Sequence, residues 1–171
     1  MSQNTSSRLI DILPPANIEL DVPARSKAQV IEHLAARAGA ELGVPAAFVA
    51  RGLLQRESHG STGVGRGIAL PHMHVVPASG EYPCAGIGEP YALLLRLAGA
   101  VDFQAVDGDP VDIVFMLLAP RVSGSAGLTI LRDAARILRQ QDFVDRFRTA
   151  QTPAAAYAAM VEAEYFTRAE A

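Results

Sequence analysis

The sequence predicts an α/β layered sandwich, a mixed β-sheet flanked by helices. Three observations point there. The elements run strand, helices, strands, helices along the chain, an order that suits packed layers. Residues 91–97 and 111–118 are almost continuously apolar, as central strands covered on both faces are. The helical segments carry apolar stripes bounded by start and stop residues.

Residues 1–7 are polar and read as a disordered tail, followed by a single domain over residues 8–166. Leu9, Ile10, Ile12 and Leu13 form a brief apolar segment that ends at Pro14-Pro15. Ile18, Leu20 and Val22 alternate with polar residues, giving a half-buried strand. Ser26 with Gln29 is a capping box that opens a helix; Val30, Ile31, Leu34, Ala38 and Leu42 make its stripe, and Gly43 stops it. Pro45 sits where a second helix begins. In it Val49, Leu53 and Arg56 are spaced i, i+4, i+7, which puts Arg56 on the inward side near the helix C-terminus.

The stretch 60–67 holds four glycines in eight residues, too many for a helix or strand interior. Residues 68–70 form a short strand bounded by Pro71. Residues 75–90 read as a long irregular loop. The two apolar strands then pair as a hairpin across Asp107-Gly108-Asp109-Pro110, with residues 101–106 adding to one arm. A third helix opens near Gly127, with Leu128, Leu131, Ala135 and Leu138 on one face and Ile130, Ala134 and Ile137 beside them. Asp142 caps a short helix carrying Phe143 and Phe147, and Thr152-Pro153 opens the last helix.

Composition narrows the function classes. A chain of 171 residues that is 50% hydrophobic can bury a real core. A formal net charge of −3 gives no electrostatic case for nucleic acid. The longest apolar run, residues 113–119, is too short to cross a bilayer, and residues 1–7 lack the apolar core of a signal peptide. A cytoplasmic protein without membrane insertion is the expectation. The single cysteine, Cys84, has no internal partner for a disulfide. Of the 15 basic residues only Lys27 is lysine.

The chemistry concentrates between Arg56 and His72. One imidazole stands at the end of a short apolar segment, just after a glycine-rich loop that begins beside an arginine and carries the hydroxyls of Ser61 and Thr62. That grouping suits holding a phosphoryl group on a ring nitrogen, with guanidinium and loop N–H groups neutralising its oxygens. The glycines Gly63, Gly65 and Gly67 do not make a dinucleotide fingerprint, since helix precedes loop and strand follows it. Nor is there the Lys-Ser/Thr ending of a P-loop. A metal pair at His72 and His74 is the competing reading, because extended residues two apart face one side. The nearby chain supplies no clear third ligand: His33 is on a predicted helix and His59 precedes the loop.

The segment 56–72 closely resembles the active-site region of the fructose/mannitol-type enzyme IIA of the bacterial phosphoenolpyruvate-dependent phosphotransferase system, above all its nitrogen-regulatory branch. Arg56-Glu57, Gly60-Ser61-Thr62-Gly63, Gly65, Gly67-Ile68-Ala69 and Pro71-His72 carry the likeness. It continues through Phe103-Gln104-Ala105-Val106-Asp107-Gly108, Pro110-Val111-Asp112, Phe115 and Leu117-Leu118-Ala119-Pro120. The resemblance implies a phosphotransferase with a phosphohistidine intermediate at His72 and Arg56 beside it. Ser61, Thr62 and Gly63 would be near the phosphoryl oxygens. His74 is expected as a further contact on a separate ground, since in an extended segment 71–75 it projects to the same side as His72 and partly replaces a missing second histidine. The resemblance also implies an HPr-type phosphocarrier protein as donor, cytosolic regulatory target proteins as partners, and no cofactor or metal. Two alternatives stay open: a non-transferring protein-binding module of the same fold, and a IIA component for sugar uptake. Three features depart from the family pattern, the first being the length of the loop at 75–90. Met73 stands where glycine is usual. A second histidine near the start of the third helix aligns with Gly127, and no histidine follows His74.

Overall fold

The computed structural model describes residues 8–75, 87–120 and 126–169. In chain order these form α1 (Leu9–Ile12), a 3-10 turn (Pro15–Asn17), β1 (Ile18–Val22), α2 (Lys27–Leu42), α3 (Ala46–Ser58), β2 (Gly63–Gly65), β3 (Ile68–Ala69) and β4 (His72–Val75). The long strands β5 (Tyr91–Val101) and β6 (Val111–Pro120) follow, then α4 (Ala126–Leu138), α5 (Gln141–Thr149) and α6 (Pro153–Ala169). The tail at 1–7 and most of the expected 75–90 loop, Cys84 included, lie outside the described residues. No described helix is long and apolar enough to cross a membrane.

The sheet is mixed, in the order β1-β5-β6-β3-β2 with β4 also on β6. The expected hairpin is its centre: β5 and β6 run antiparallel, with Leu94 opposite Phe115. β1 adds parallel to β5. Because helices cover both faces, the two central strands are buried on both sides. Leu94, Phe115 and Leu117 pack with α1, α4, α5 and α6; Leu93, Leu95, Val114 and Met116 pack with α2 and α3. Each such large side chain stabilises the fold by ~1.5–3 kcal/mol. The α/β sandwich read from the sequence is the fold observed.

Local chemistry sets the helix ends. The Ser26 hydroxyl accepts the Gln29 N–H at 3.2 Å, while Gln29 Oε1 accepts the Arg25 N–H at 2.8 Å, so the box closes on Arg25 rather than on Ser26 itself. Gly43 ends α2 in the left-handed region (φ 66°), which favours glycine. Thr152 Oγ1 accepts the Ala155 N–H at 3.1 Å and opens α6 as expected.

Four sequence expectations change. Residues 9–12 are one helical turn. Three residues of the glycine loop, Gly63–Gly65, do form a strand, antiparallel to β3 with a register irregularity. Asp142 lies in the first turn of α5 rather than at its N-cap, which is Gln140; there its carboxylate still favours the positive end of the helix. On α4 Ile130, Ala134, Ile137 and Leu138 are buried and Leu131 and Ala135 pack against the core, but Leu128 is 71% exposed, because α4 turns that residue away from the sheet.

Candidate active site

β3 and β4 lie on the same edge of β6. Ile68 pairs with Ile113 and His72 with Leu117, so the register is unbroken across the interruption at Leu70-Pro71. Pro71 has no N–H to give, but its carbonyl accepts the Leu117 N–H at 3.1 Å and holds the break against β6. His72 opens β4 just past this break.

The ring of His72 is held at both nitrogens. Nδ1 is 2.8 Å from the Leu70 carbonyl oxygen. A carbonyl only accepts, so Nδ1 carries the proton and Nε2 keeps the lone pair. Arg56, in the last turn of α3, donates from Nε to that Nε2 at 3.2 Å and from Nη1 to the Gly60 carbonyl at 3.0 Å. Among the described residues no carboxylate pairs with Arg56. Burial is the first cause that pushes the His72 pKa below its ordinary value of 6.5; the positive charge of Arg56 and the proximity of His74 push the same way. The Leu70 hydrogen bond and Glu57 push back. The ring is therefore neutral at neutral pH, with the Nε2 lone pair free of a proton.

Ser61, Thr62 and Gly63 stand in the loop behind the ring. The Ser61 hydroxyl donates to the Phe103 carbonyl at 2.6 Å and accepts the Gly63 N–H at 3.0 Å. The Thr62 N–H donates to Glu57 Oε1 at 3.0 Å, and its hydroxyl donates to the same oxygen. At Gly63 an added Cβ would come within 2.8 Å of the Ala105 side chain, so the loop packs flat against the turn after β5. Both hydroxyls are thus engaged inward, toward Phe103 and Glu57.

The open side of His72 is a cavity of about 470 Å³ along α3, lined by Phe48, Arg51, Gly52, Gln55, Arg56, His59, His72, Met73 and His74. Ser61, Thr62 and Gly63 do not line it. Met73 reaches across to α3: a Cβ on Gly52 would lie 2.3 Å from the Met73 methyl carbon, so the missing side chain at 52 makes room for Met73. His74 is exposed and faces the start of α4, where a Cβ on Gly127 would lie 3.8 Å from His74 Cε1. A smaller recess of about 110 Å³ joins His72 and His74 to Gly127 and Leu131.

The structure therefore brings Arg56, His72 and His74 together, adds His59 to the rim, and leaves His33 far off, 2.7 Å from Glu19. No group of three or more His, Cys, Asp or Glu that could hold a metal ion occurs among the described residues. Four contributors escaped the sequence reading: Glu57, Lys27, the Leu70 carbonyl and Gly52. A signal existed for Glu57, since it continues Val49 and Leu53 at i+4 and so belongs to the buried stripe.

Known proteins resemble this chain along most of its length. Residues 11–163 match the family model for the phosphoenolpyruvate-dependent sugar phosphotransferase system, EIIA 2. A nitrogen regulatory protein of Pseudomonas aeruginosa is 37% identical over 158 residues, covering 92% of this chain and 97% of its own. A fructose-specific EIIA component of Haloferax volcanii is 33% identical over 144 residues, 82% of this chain and 86% of that one. The crystal structure of the nitrogen regulatory protein IIA-Ntr from Neisseria meningitidis superposes with a TM-score of 0.79 at 29% identity, covering 88% and 97% of the two chains.

Proposed function

This chain belongs to the EIIA 2 family of the phosphoenolpyruvate-dependent sugar phosphotransferase system, whose members are phosphotransfer components, and we propose that it accepts a phosphoryl group on Nε2 of His72 from an HPr-type phosphocarrier and signals by its phosphorylation state. One observation carries the reading. His72 commits Nδ1–H to a carbonyl and points the Nε2 lone pair at an arginine that, among the described residues, has no carboxylate partner.

The step follows from that placement. The Nε2 lone pair attacks phosphorus, and the N–P bond forms as the bond to the donor breaks. The donor's leaving nitrogen keeps the electron pair of that bond. No proton has to leave His72, because the ring proton already sits on Nδ1 against Leu70. Arg56 Nε then gives up its contact with Nε2 and donates to the phosphoryl oxygens, a charge-assisted exchange. His74, which lines the same cavity, then serves as a second donor to those oxygens. Ser61, Thr62 and Gly63 serve the phosphoryl site through the shape of the loop that backs it.

The regulatory role rests on the likeness to nitrogen regulatory proteins. A phosphoryl group adds roughly −1.5 to −2 charge, by analogy with phosphate on other side chains. In a cavity rimmed by Phe48, Met73 and two arginines, that change sorts partners by charge. The fructose-specific relative supports a second reading, onward transfer to a sugar-specific IIB protein.

The chemistry is tested by incubation with phosphoenolpyruvate and the general phosphotransferase proteins, followed by peptide mass spectrometry. An acid-labile mass gain on the peptide carrying His72 supports the acceptor role; an unlabelled His72 refutes it. The role is tested by comparing cytosolic partners captured by the two forms of the protein. Equal capture, together with rapid transfer to a IIB protein, would replace the regulatory reading with the transport one.

A further inference from the structure

Glu57 follows Arg56 in sequence, yet its side chain turns the other way and is buried, with the residue 8% exposed. A carboxylate on the stripe of Val49 and Leu53 loses its hydration, and an apolar side chain there would pack without that cost. Every oxygen of Glu57 is used instead. Oε1 accepts both the N–H and the hydroxyl of Thr62, and Oε2 meets Lys27 Nζ at 2.8 Å.

The contacts continue from there in one direction. The Thr62 carbonyl accepts the Leu70 N–H at 2.9 Å. The Leu70 carbonyl, on the same residue, accepts Nδ1–H of His72 at 2.8 Å. A second arm closes the brace: Lys27 Nζ also donates to Gln104 Oε1 at 3.2 Å and stands 5.0 Å over the Phe103 ring, while Ser61 bonds the Phe103 carbonyl. The three segments tied together are the end of α3 that carries Arg56, the loop behind the ring, and the carbonyl that sets the ring's tautomer.

We infer that Glu57, clamped by Lys27, is a positioning residue for phosphoryl transfer: by fixing Thr62 it fixes the Leu70 carbonyl, and so keeps His72 as the Nδ1–H tautomer with Nε2 presented to the phosphorus. This rests on the reading of His72 as phosphoryl acceptor. Glu57 touches neither the phosphoryl group nor the imidazole, so its removal acts on the geometry of attack and leaves docking of the phosphocarrier alone.

The test uses the full chain and the variants Glu57→Gln, Lys27→Met, the double variant and Thr62→Val, each checked for folding by circular dichroism. The tautomer of His72 is read from its imidazole nitrogen resonances at a pH where the ring is neutral, assigned against His72→Ala. In the native protein the Nδ1–H form dominates. In Glu57→Gln the amide has to face Lys27 with one end and Thr62 with the other, and one of those ends always opposes a donor with a donor. The Nε2–H form then gains population, and kcat for phosphoryl acceptance falls between about tenfold and a hundredfold, the usual cost of a small misplacement, with KM for the phosphocarrier unchanged. Adding Lys27→Met to Glu57→Gln lets the amide oxygen turn to Thr62, and restores both the tautomer and most of kcat. Thr62→Val keeps the amide donor, loses the hydroxyl, and gives the same change at smaller amplitude; it decides the matter if Glu57→Gln does not fold. A native tautomer ratio with native kcat in a folded Glu57→Gln or Thr62→Val variant overturns the inference. A native chain that takes no label at His72 removes the acceptor reading, while the tautomer comparison still decides whether Glu57 sets the ring.

Discussion

The two ends of the sheet both gather arginines and use them in opposite ways. Where β6 begins, Arg96 donates to both carboxylate oxygens of Asp21 at 3.0 Å and to the carbonyls of Phe147, Arg148 and Ala150 at the end of α5. Nearby, Arg148 holds both oxygens of Asp112 at 2.8 Å. Two non-glycine residues there, Asp21 (φ 57°) and Arg66 (φ 58°), take the left-handed conformation, and such strain persists only where surroundings over-determine it. Where β6 ends, Arg56 meets, among the described residues, one imidazole nitrogen and one carbonyl and no carboxylate. Complete pairing makes an arginine part of the frame. Incomplete pairing leaves its charge available to an incoming anion.

The sharpest contrast comes from deleting the imidazole. His72→Ala abolishes phosphoryl labelling, whereas His33→Ala and His59→Ala keep it, as read by mass spectrometry; a fully labelled His72→Ala protein contradicts the assignment. At the other end, Arg96→Ala costs about 2–3 kcal/mol of stability in urea unfolding, because three carbonyls and a carboxylate lose their donor. Labelling of the protein that remains folded proceeds at the native rate. Arg56→Ala reverses this pattern. It slows labelling by tenfold or more, equivalent to about 1.4 kcal/mol or greater, while the unfolding midpoint moves little. If Arg56→Ala unfolds the chain and leaves the rate of the folded fraction intact, the contrast fails.

Smaller effects refine the comparison. Arg148→Ala loses about 1 kcal/mol, since its bidentate pair with Asp112 is half-exposed and screened. The pH profile of labelling separates the ends again. Burial and the charge of Arg56 hold the His72 pKa below 6.5, so the neutral nucleophile persists as pH falls through that value, and the rate drops only in more acidic solution. Arg56→Ala removes one of the lowering charges and moves the midpoint upward; Arg148→Ala leaves it in place. A native profile centred above 6.5 would contradict this account.

Legibility differed between these regions for a physical reason. The fold was readable because period-2 and period-3.6 patterns are local: the capping box at Ser26, the stop at Gly43 and the cap at Thr152 all act within one turn. His72 and Arg56 were readable because they flank one continuous loop. What could not be read is set by strand neighbours far apart in sequence. Pro71 announces the interruption after residues 68–70, but nothing local in residues 68–75 announces that β3 and β4 resume one register on the same edge of β6. Likewise Ser61 and Thr62 turn inward because Phe103 and Glu57 wait behind them. On α4 only Leu128 was misplaced: it is exposed, while Leu131, Ala135 and Leu138 meet the core together with Ile130, Ala134 and Ile137.

Lys27 is the chain's one lysine, and its ammonium is mostly covered by Glu57 and the Phe103 ring. In terms of reactivity, an amine-directed reagent therefore meets a single side chain, and reaches it faster when that cover opens. Its rate of acylation becomes a clock for the breathing of the loop behind His72, readable on unaltered protein and without any phosphoryl donor.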